Sequence, residues 1–224
     1  MRVAILIFIA LYCLPLWGQY YAQFRYQPAA TGGTPMSKCD YVDASNEDHE
    51  EPTDGVANSP SGSINSSDLE IGNDGSIAQN FGMFFDSLNI PAGAIIDSVF
   101  IQFEVDNTSR SDPLSVVIRC QEGATPAVFV ESDYDIFNRD KTETGVTWTL
   151  TGGTWSPVGN QGPDQRTPNF AAALQEAIDN PSYSQGDPIV VFIMNNGSGE
   201  REAESWDGTG TATGAPYICV YWTE

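Results

Sequence analysis

Basic residues are scarce in this sequence. The 224 residues include nine lysines and arginines against 30 aspartates and glutamates, so the formal net charge is −21. Binding to nucleic acid or anionic lipid depends on clustered basic side chains that neutralise phosphate, so this composition argues against both partners. An acidic excess of this size instead favours solubility outside the cell, or capture of divalent cations where carboxylates cluster.

Histidine and paired cysteines are also scarce. His49 is the single histidine and lies in a predicted acidic loop, whose acidic residues should favour its protonation. One histidine without a G-x-S-x-G motif argues against a serine or cysteine hydrolase, and the four cysteines lack zinc-ligand spacing. Two suitably spaced carboxylates are enough for glycoside hydrolysis, which the sequence does not exclude. We expect a protein that is not an enzyme.

Long hydrophobic runs are missing except at the N-terminus. The apolar run Val3–Leu14 is typical of a secretory signal peptide and is shorter than the about 20 residues of a membrane span. We therefore predict a signal peptide over residues 1–18, with cleavage after Gly18 or alternatively after Ala22. The mature protein is expected to be secreted and extracellular, with no membrane insertion.

The rest of the chain has the pattern of a single mainly β domain over residues 39–224, preceded by an arm or linker over 19–38. Its clearest strand lies within Ile95–Val105, because every second residue from Val99 to Val105 is apolar. Dense Gly, Asn, Asp and Ser turns separate further short strands. These are predicted at Tyr41–Ala44, Asp68–Ile71, Gly82–Ser87, Leu114–Gln121, Val146–Leu150, Ile189–Met194, Ala203–Trp206 and Tyr217–Trp222.

One segment departs from the β pattern. Thr167 is a suitable helix cap, Pro168 suits the first helical position, and Pro181 lies just beyond the predicted end. The apolar residues between them share one helical face, namely Phe170, Ala173, Leu174, Ala177 and Ile178. The predicted fold is therefore an antiparallel β-sandwich with one short packed helix.

Three phrases of the sequence resemble a known type of domain. They are NIPAGAIIDSVFIQFEVD at Asn89–Asp106, SSDLEIG at Ser66–Gly72 and REAESWDG at Arg201–Gly208. Together they resemble the secreted jelly-roll domains, similar to carbohydrate-binding modules, of microbial extracellular and surface proteins. The resemblance implies a jelly-roll β-sandwich and says little about chemistry, because one sandwich fold hosts many functions.

Terminal strands commonly lie side by side in jelly rolls, which bears on the cysteines. Cys13 leaves with the signal peptide, so three cysteines remain in the mature chain. Cys39 precedes the first strand and Cys219 lies in the last, so we predict a disulfide between them. Cys120 follows the apolar face of Leu114–Gln121 and is predicted to be buried and free.

Carboxylates cluster in three places that the jelly-roll resemblance brings together. The acidic residues of these clusters favour a hard cation with oxygen ligands, and calcium is the tentative cofactor. The predicted ligands are Glu50, Glu51, Asp68, Glu70 and Asp207. The alternative is structural, with Arg201 forming a bidentate ion pair with Glu51 or Glu70.

Aromatic residues in loops are candidates for stacking on sugar rings. Trp155 and Trp206 are the predicted carbohydrate-binding residues, with packing in the core as the alternative. The glycosylation sequons at Asn65, Asn107 and Asn196 are predicted to lie in loops or at strand ends.

Two functions are compatible with these features. The first is a secreted, non-catalytic structural subunit that self-associates into a homopolymer (a filament, sheath or surface layer) and is stabilised by calcium. The alternative is a carbohydrate-binding or adhesive module that recognises an extracellular polysaccharide.

Overall fold

A computed structural model describes residues 33–53, 63–123, 125–132 and 134–224 of the chain. The predicted signal peptide and most of the predicted arm lie outside these residues. The strands are β1 (Pro35–Tyr41), β2 (Asp48–Pro52), β3 (Asp68–Asp74), β4 (Ile77–Phe85), β5 (Ile95–Gln102), β6 (Val105–Ser111), β7 (Leu114–Cys120), β8 (Val146–Leu150), β9 (Ile189–Asn195), β10 (Glu200–Glu204) and β11 (Tyr217–Thr223). The helices are α1 (Asp135–Asn138), α2 (Ala171–Asp179) and α3 (Trp206–Thr209), with a 3₁₀ turn at Pro163–Gln165.

The first and last strands belong to a small antiparallel sheet with the order β1-β11-β5. Cys39 lies opposite Cys219 in the register of β1 and β11, and the two cysteines form a disulfide. Cys120 is buried and free. The structure therefore confirms the predicted pairing of Cys39 with Cys219 and the predicted buried, free state of Cys120.

The other strands form a larger, curled antiparallel sheet with the order β6-β10-β3-β4-β9-β7-β8, and β2 pairs with β4. Helix α2 packs against β5 and β7. The prediction of a mainly β, sandwich-like fold with antiparallel sheets and a packed helix is confirmed. None of the helices in the described part of the chain is both long and apolar enough to cross a membrane.

Apolar side chains at alternating positions build the core between the two sheets. Every second residue from Val99 to Val105 is fully buried, and β7 alternates in the same way from Leu114 to Cys120. Period-two alternation places such residues on one face of a strand, where burial removes their apolar surface from water. The alternation seen in the sequence therefore identifies the core side of both strands correctly.

Several elements differ from the prediction: α1, β6 and α3 were not predicted, the predicted strand Tyr41–Ala44 is a strand only at Tyr41, and three further differences bear on the site. The acidic stretch around His49 is not a loop but β2, all five of whose residues are buried. Strand β1 begins at Pro35, inside the segment predicted to be an arm. Helix α2 begins at Ala171, and Thr167 does not cap it. The Oγ1 atom of Thr167 instead accepts a hydrogen bond from the N–H of Ile101 at 2.9 Å.

Candidate functional site

The outer side of three neighbouring strands carries a cluster of carboxylates, which we call the acidic face. Strand β10 lies between β3 and β6, and its Glu202 is paired with Glu70 while Glu204 is paired with Asp68. Residues between these acids, such as Leu69 and Ala203, point into the core and are buried. The acidic face comprises Asp68, Glu70, Asp106, Glu202 and Glu204.

Three members of the acidic face are close enough to share a cation. One carboxylate oxygen from each of Asp68, Asp106 and Glu202 lies within 4.8 Å of the other two, and all three residues are half-buried. Carboxylate oxygens are the ligands that calcium prefers, and water can complete its shell of six to eight. Of these three residues, only Asp68 was predicted to be a ligand.

Burial and neighbouring carboxylates both raise pKa values on the acidic face. Burial raises the pKa of Asp68, and the charge of Asp106 raises it further. Burial is also the largest cause of the raised pKa of Glu202. For Glu204, burial together with the nearby carboxylate of Asp106 raises the pKa to about 7. A bound divalent cation would oppose these changes in pKa, because a nearby positive charge favours the ionised carboxylate.

Glu50 adds a buried acid beside this face. Its carboxylate accepts a hydrogen bond from the backbone N–H of Glu70 at 2.6 Å, and the residue is only 3% exposed. Burial raises the pKa of Glu50 well above its ordinary value, and the adjacent Glu70 carboxylate raises it further. The geometry is that of two carboxyl groups sharing one proton, with Glu50 as the protonated partner.

The other two predicted ligands lie elsewhere and have structural partners. The two carboxylate oxygens of Glu51 accept hydrogen bonds from the N–H groups of Ile136 and Phe137, each at 2.9 Å. Asp207 accepts a hydrogen bond from the hydroxyl of Ser45 at 2.8 Å. The five predicted ligands therefore do not form one shell, because Glu51 anchors α1 and Asp207 lies on α3.

The alternative prediction for Arg201 is wrong. Arg201 is fully buried on the core side of β10, whereas Glu70 projects from the opposite side of the sheet. Its guanidinium instead contacts the Asp112 carboxylate at 2.5 Å and donates to the carbonyl oxygens of Ser111 and Glu200. Arg201 therefore fixes the turn after β6 and does not neutralise the acidic face.

The two predicted sugar-binding tryptophans differ in exposure. Trp155 is 0% exposed, and its indole N–H donates to the carbonyl oxygen of Glu202 at 2.8 Å. A ring that stacks on a sugar must present one face to solvent, so Trp155 occupies the core position that was the alternative interpretation. Trp206 is half-buried and packs against the same core.

The three sequons occupy different environments. Asn65 and Asn196 are exposed residues in loops, as predicted. Asn107 lies within β6 and is half-buried, because its side chain contacts Glu202 and accepts a hydrogen bond from the N–H of Ser109.

His49 is enclosed rather than available for chemistry. It is 1% exposed, its ring stacks on Phe129 at a centroid distance of 5.7 Å, and neither ring nitrogen has a hydrogen-bond partner among the described residues. Burial lowers the pKa of His49, so the expectation that nearby acids favour its protonation is wrong. A general base must reach its substrate, which this position does not allow.

Comparison of the sequence with protein-family models and with curated proteins finds no match. The resemblance to secreted jelly-roll domains therefore stays a prediction. The geometry of the acidic face, and the fold that presents it, are the basis on which a function can be proposed.

Proposed function

We propose that the protein is a secreted, non-catalytic structural subunit of an extracellular assembly, stabilised by calcium held on the acidic face. The observation that carries this proposal is the convergence of carboxylates from Asp68, Asp106 and Glu202, each on a different strand. A cation shared by β3, β6 and β10 would tie one edge of the large sheet together.

Charge supports a divalent cation at this place. Carboxylates of like charge on adjacent strands destabilise the sheet, and half-burial weakens their hydration. Arg201, the one basic residue of β10, lies on the core side and pairs with Asp112. Among the side chains that the structure describes, no basic group pairs with the acidic face, so protonation or a cation in solution would relieve the repulsion. Calcium fits better than zinc because every ligand is an oxygen.

The cysteines support secretion. A disulfide joins β1 to β11, and disulfides persist mainly in oxidising compartments such as the extracellular space. The net charge of −21 favours solubility there and offers carboxylates that divalent ions can cross-link between copies. The enclosed position of His49 supports a non-catalytic role.

Calcium titration with carboxylate variants tests this proposal. We expect calcium to stabilise the wild-type protein against urea by about 2.7 kcal/mol at a hundredfold excess over its dissociation constant. Asp68→Asn combined with Glu202→Gln should abolish this increase, since it removes two of the three convergent carboxylates. Asp164→Asn, which removes an exposed carboxylate near the 3₁₀ turn, is the control and should keep the increase. An equal calcium response in all three proteins would refute the site.

A different surface favours the alternative, binding of a polysaccharide. The outer side of the small sheet carries Tyr41, Phe100, Tyr217 and Tyr221, of which Tyr41 is 44% and Tyr221 40% exposed. The rings of Tyr41 and Tyr217 lie 5.0 Å apart between centroids, and those of Phe100 and Tyr221 lie 6.3 Å apart. Aromatic rings beside hydroxyl groups suit the apolar faces and polar edges of sugars.

Retention on polysaccharide columns separates the two functions. Under the alternative, Tyr221→Ala should weaken retention at least tenfold, while Phe137→Ala, which removes a 60% exposed ring on α1, should leave it unchanged. Under the structural proposal, neither wild type nor variant is retained.

A further inference from the structure

The two edges of the small sheet differ in how their backbone groups are satisfied. At the β5 edge, the segment around α2 supplies partners for successive N–H groups. Three of these N–H groups donate to side-chain oxygens: Ile96 to Gln175, Val99 to Asn169 and Ile101 to Thr167. The N–H of Phe103 donates to the backbone carbonyl of Gln165. In return, the carbonyls of Val99 and Ile101 accept from Phe170 and Thr167. The β5 edge is therefore closed.

The β1 edge is open as far as the described residues are concerned. Thr34 exchanges two hydrogen bonds with Glu224, and the N–H of Val42 donates to Pro216, so the even-numbered residues between them face β11. The odd-numbered residues turn their backbone outward. The N–H groups of Ser37 and Cys39 make no hydrogen bond to any residue that the structure describes.

Strand β1 also lacks most of the features that protect an edge. It pairs with β11 over all seven of its residues without a register shift, so no bulge twists it away. Natural edges are commonly blocked by charges, prolines or bulges. Here Pro35 lies at the very start, and the amine of Lys38, the strand's single lysine, donates to the carbonyl of Ser87. A regular edge that no described residue pairs with is a template for another strand.

We infer that this edge pairs, antiparallel, with β1 of a second copy of the chain to form a two-fold symmetric dimer. The inference rests on the proposed self-association. With Cys39 on the two-fold axis, its N–H and carbonyl pair with those of the second Cys39. Ser37 exchanges hydrogen bonds with Tyr41, whose N–H gives up its 3.1 Å hydrogen bond to the Asp40 carboxylate. All outward groups from Ser37 to Tyr41 are then used. The two small sheets become one sheet of six strands.

Charge selects a second copy in this register. Lys38 of each copy then lies opposite Asp40 of the other, so two oppositely charged cross-strand pairs form. Within each copy the Lys38 amine also donates to the Ser87 carbonyl and the Asp40 carboxylate accepts from the Ser87 N–H, and these bonds are shared with or exchanged for the new pairs. Strand β1 carries one positive and one negative charge, so its own net charge is zero in a chain of net charge −21 and charge repulsion along it is small. Pairing would also cover Met36 and Tyr41, which are 42% and 44% exposed.

The symmetry of this contact limits what it can build. A two-fold contact uses the same patch on both copies and closes at the dimer, so it does not extend into a filament by itself. A longer assembly needs a second contact, and divalent ions that bridge surface carboxylates of neighbouring copies would supply it. The dimer should therefore persist in chelator, where higher assembly is lost.

Sedimentation of the natively secreted chain in chelator tests the dimer. We expect wild type to be dimeric and Ser37→Pro to be monomeric, because proline removes the outward N–H and leaves the β11 side unchanged. Ser37→Ala keeps the N–H and should remain dimeric. Retention of the Cys39–Cys219 disulfide and of the circular dichroism spectrum shows that each variant is folded. A monomeric wild type, or equal dimerisation of the proline and alanine variants, would overturn the inference.

A charge exchange provides an independent test that does not alter the backbone. Lys38→Asp should raise the dimer dissociation constant at least tenfold, because it places like charges opposite each other twice. Adding Asp40→Lys restores opposite pairs and should return the constant to within threefold of wild type. Failure of this rescue contradicts the register. If the dimer forms but calcium does not polymerise wild type, the proposed function fails and the inferred dimer stands. If calcium forms polymers but no dimer is found in chelator, the inferred dimer fails and the proposed function stands.

Discussion

Replacement of one buried acid should flatten the pH dependence of stability. Asp48 on β2 is 2% exposed, and its carboxylate accepts a hydrogen bond from the backbone N–H of Trp206 at 3.1 Å. Burial, with the charges of Asp207 and Glu47 nearby, raises the pKa of Asp48 from 3.8 to about 7. The folded protein therefore holds a proton on this side chain at pH values where the unfolded chain has released it.

The sign of the effect follows from proton linkage. Because the pKa is raised on folding, the stabilisation is complete below about pH 4 and is lost as pH rises through about 7. A tenfold change in proton affinity corresponds to about 1.4 kcal/mol, so a rise in pKa from 3.8 to about 7 is worth about 4 kcal/mol. Asp48→Asn keeps an oxygen acceptor for the N–H of Trp206 and does not ionise. Wild type should therefore lose about 4 kcal/mol more than this variant between about pH 4 and about pH 8.

Urea unfolding in chelator at several pH values measures the difference. Asp164→Asn, which removes the same charge from an exposed position, is the control and should follow the wild-type profile. Parallel pH profiles for wild type and Asp48→Asn would refute the reasoning, because they would show that Asp48 is ionised in the folded protein throughout.

Variants at three further places in the fold test its packing by urea unfolding. The disulfide between Cys39 and Cys219 spans a separation of 180 residues, so replacing both by serine should cost about 5 kcal/mol, and a reductant should destabilise only wild type. Arg201→Ala should cost about 2–4 kcal/mol because it empties a fully buried site and leaves the carbonyl oxygens of Ser111 and Glu200 without this donor, whereas Arg201→Lys should lose less; equal losses would contradict the hydrogen-bonding role. Trp155→Ala should cost about 3–5 kcal/mol and Trp155→Phe clearly less, and a loss below about 1 kcal/mol would contradict its core position.

Much of the fold is accessible from local pattern. The alternation in β5 and β7 and the apolar face of α2 depend on neighbours within one element, so they identify the buried residues directly. Strand β2 is not predictable from local pattern, because its five consecutive residues include three acids and such a stretch resembles a solvated loop. Their burial is decided by β4 and α1, which are distant in sequence.

The candidate site is accessible only in part. Asp68 and Glu70 can be recognised as residues of the acidic face because two acids alternate with apolar residues in a predicted strand. Asp106 is recognisable as an outward residue, but its meeting with Glu202 depends on the pairing of β6 with β10, which no local pattern encodes. Trp155 is misplaced by the sequence because its flanking glycines and prolines indicate a loop, and loops are usually at the surface.

Electron microscopy together with sedimentation of the natively secreted protein, first in calcium and then in chelator, is the most direct test of the proposed structural role. We expect ordered polymers in calcium that dissociate in chelator, because cations on the acidic face offset repulsion between copies of net charge −21. A folded protein of unchanged, small size under both conditions would contradict a calcium-dependent structural role.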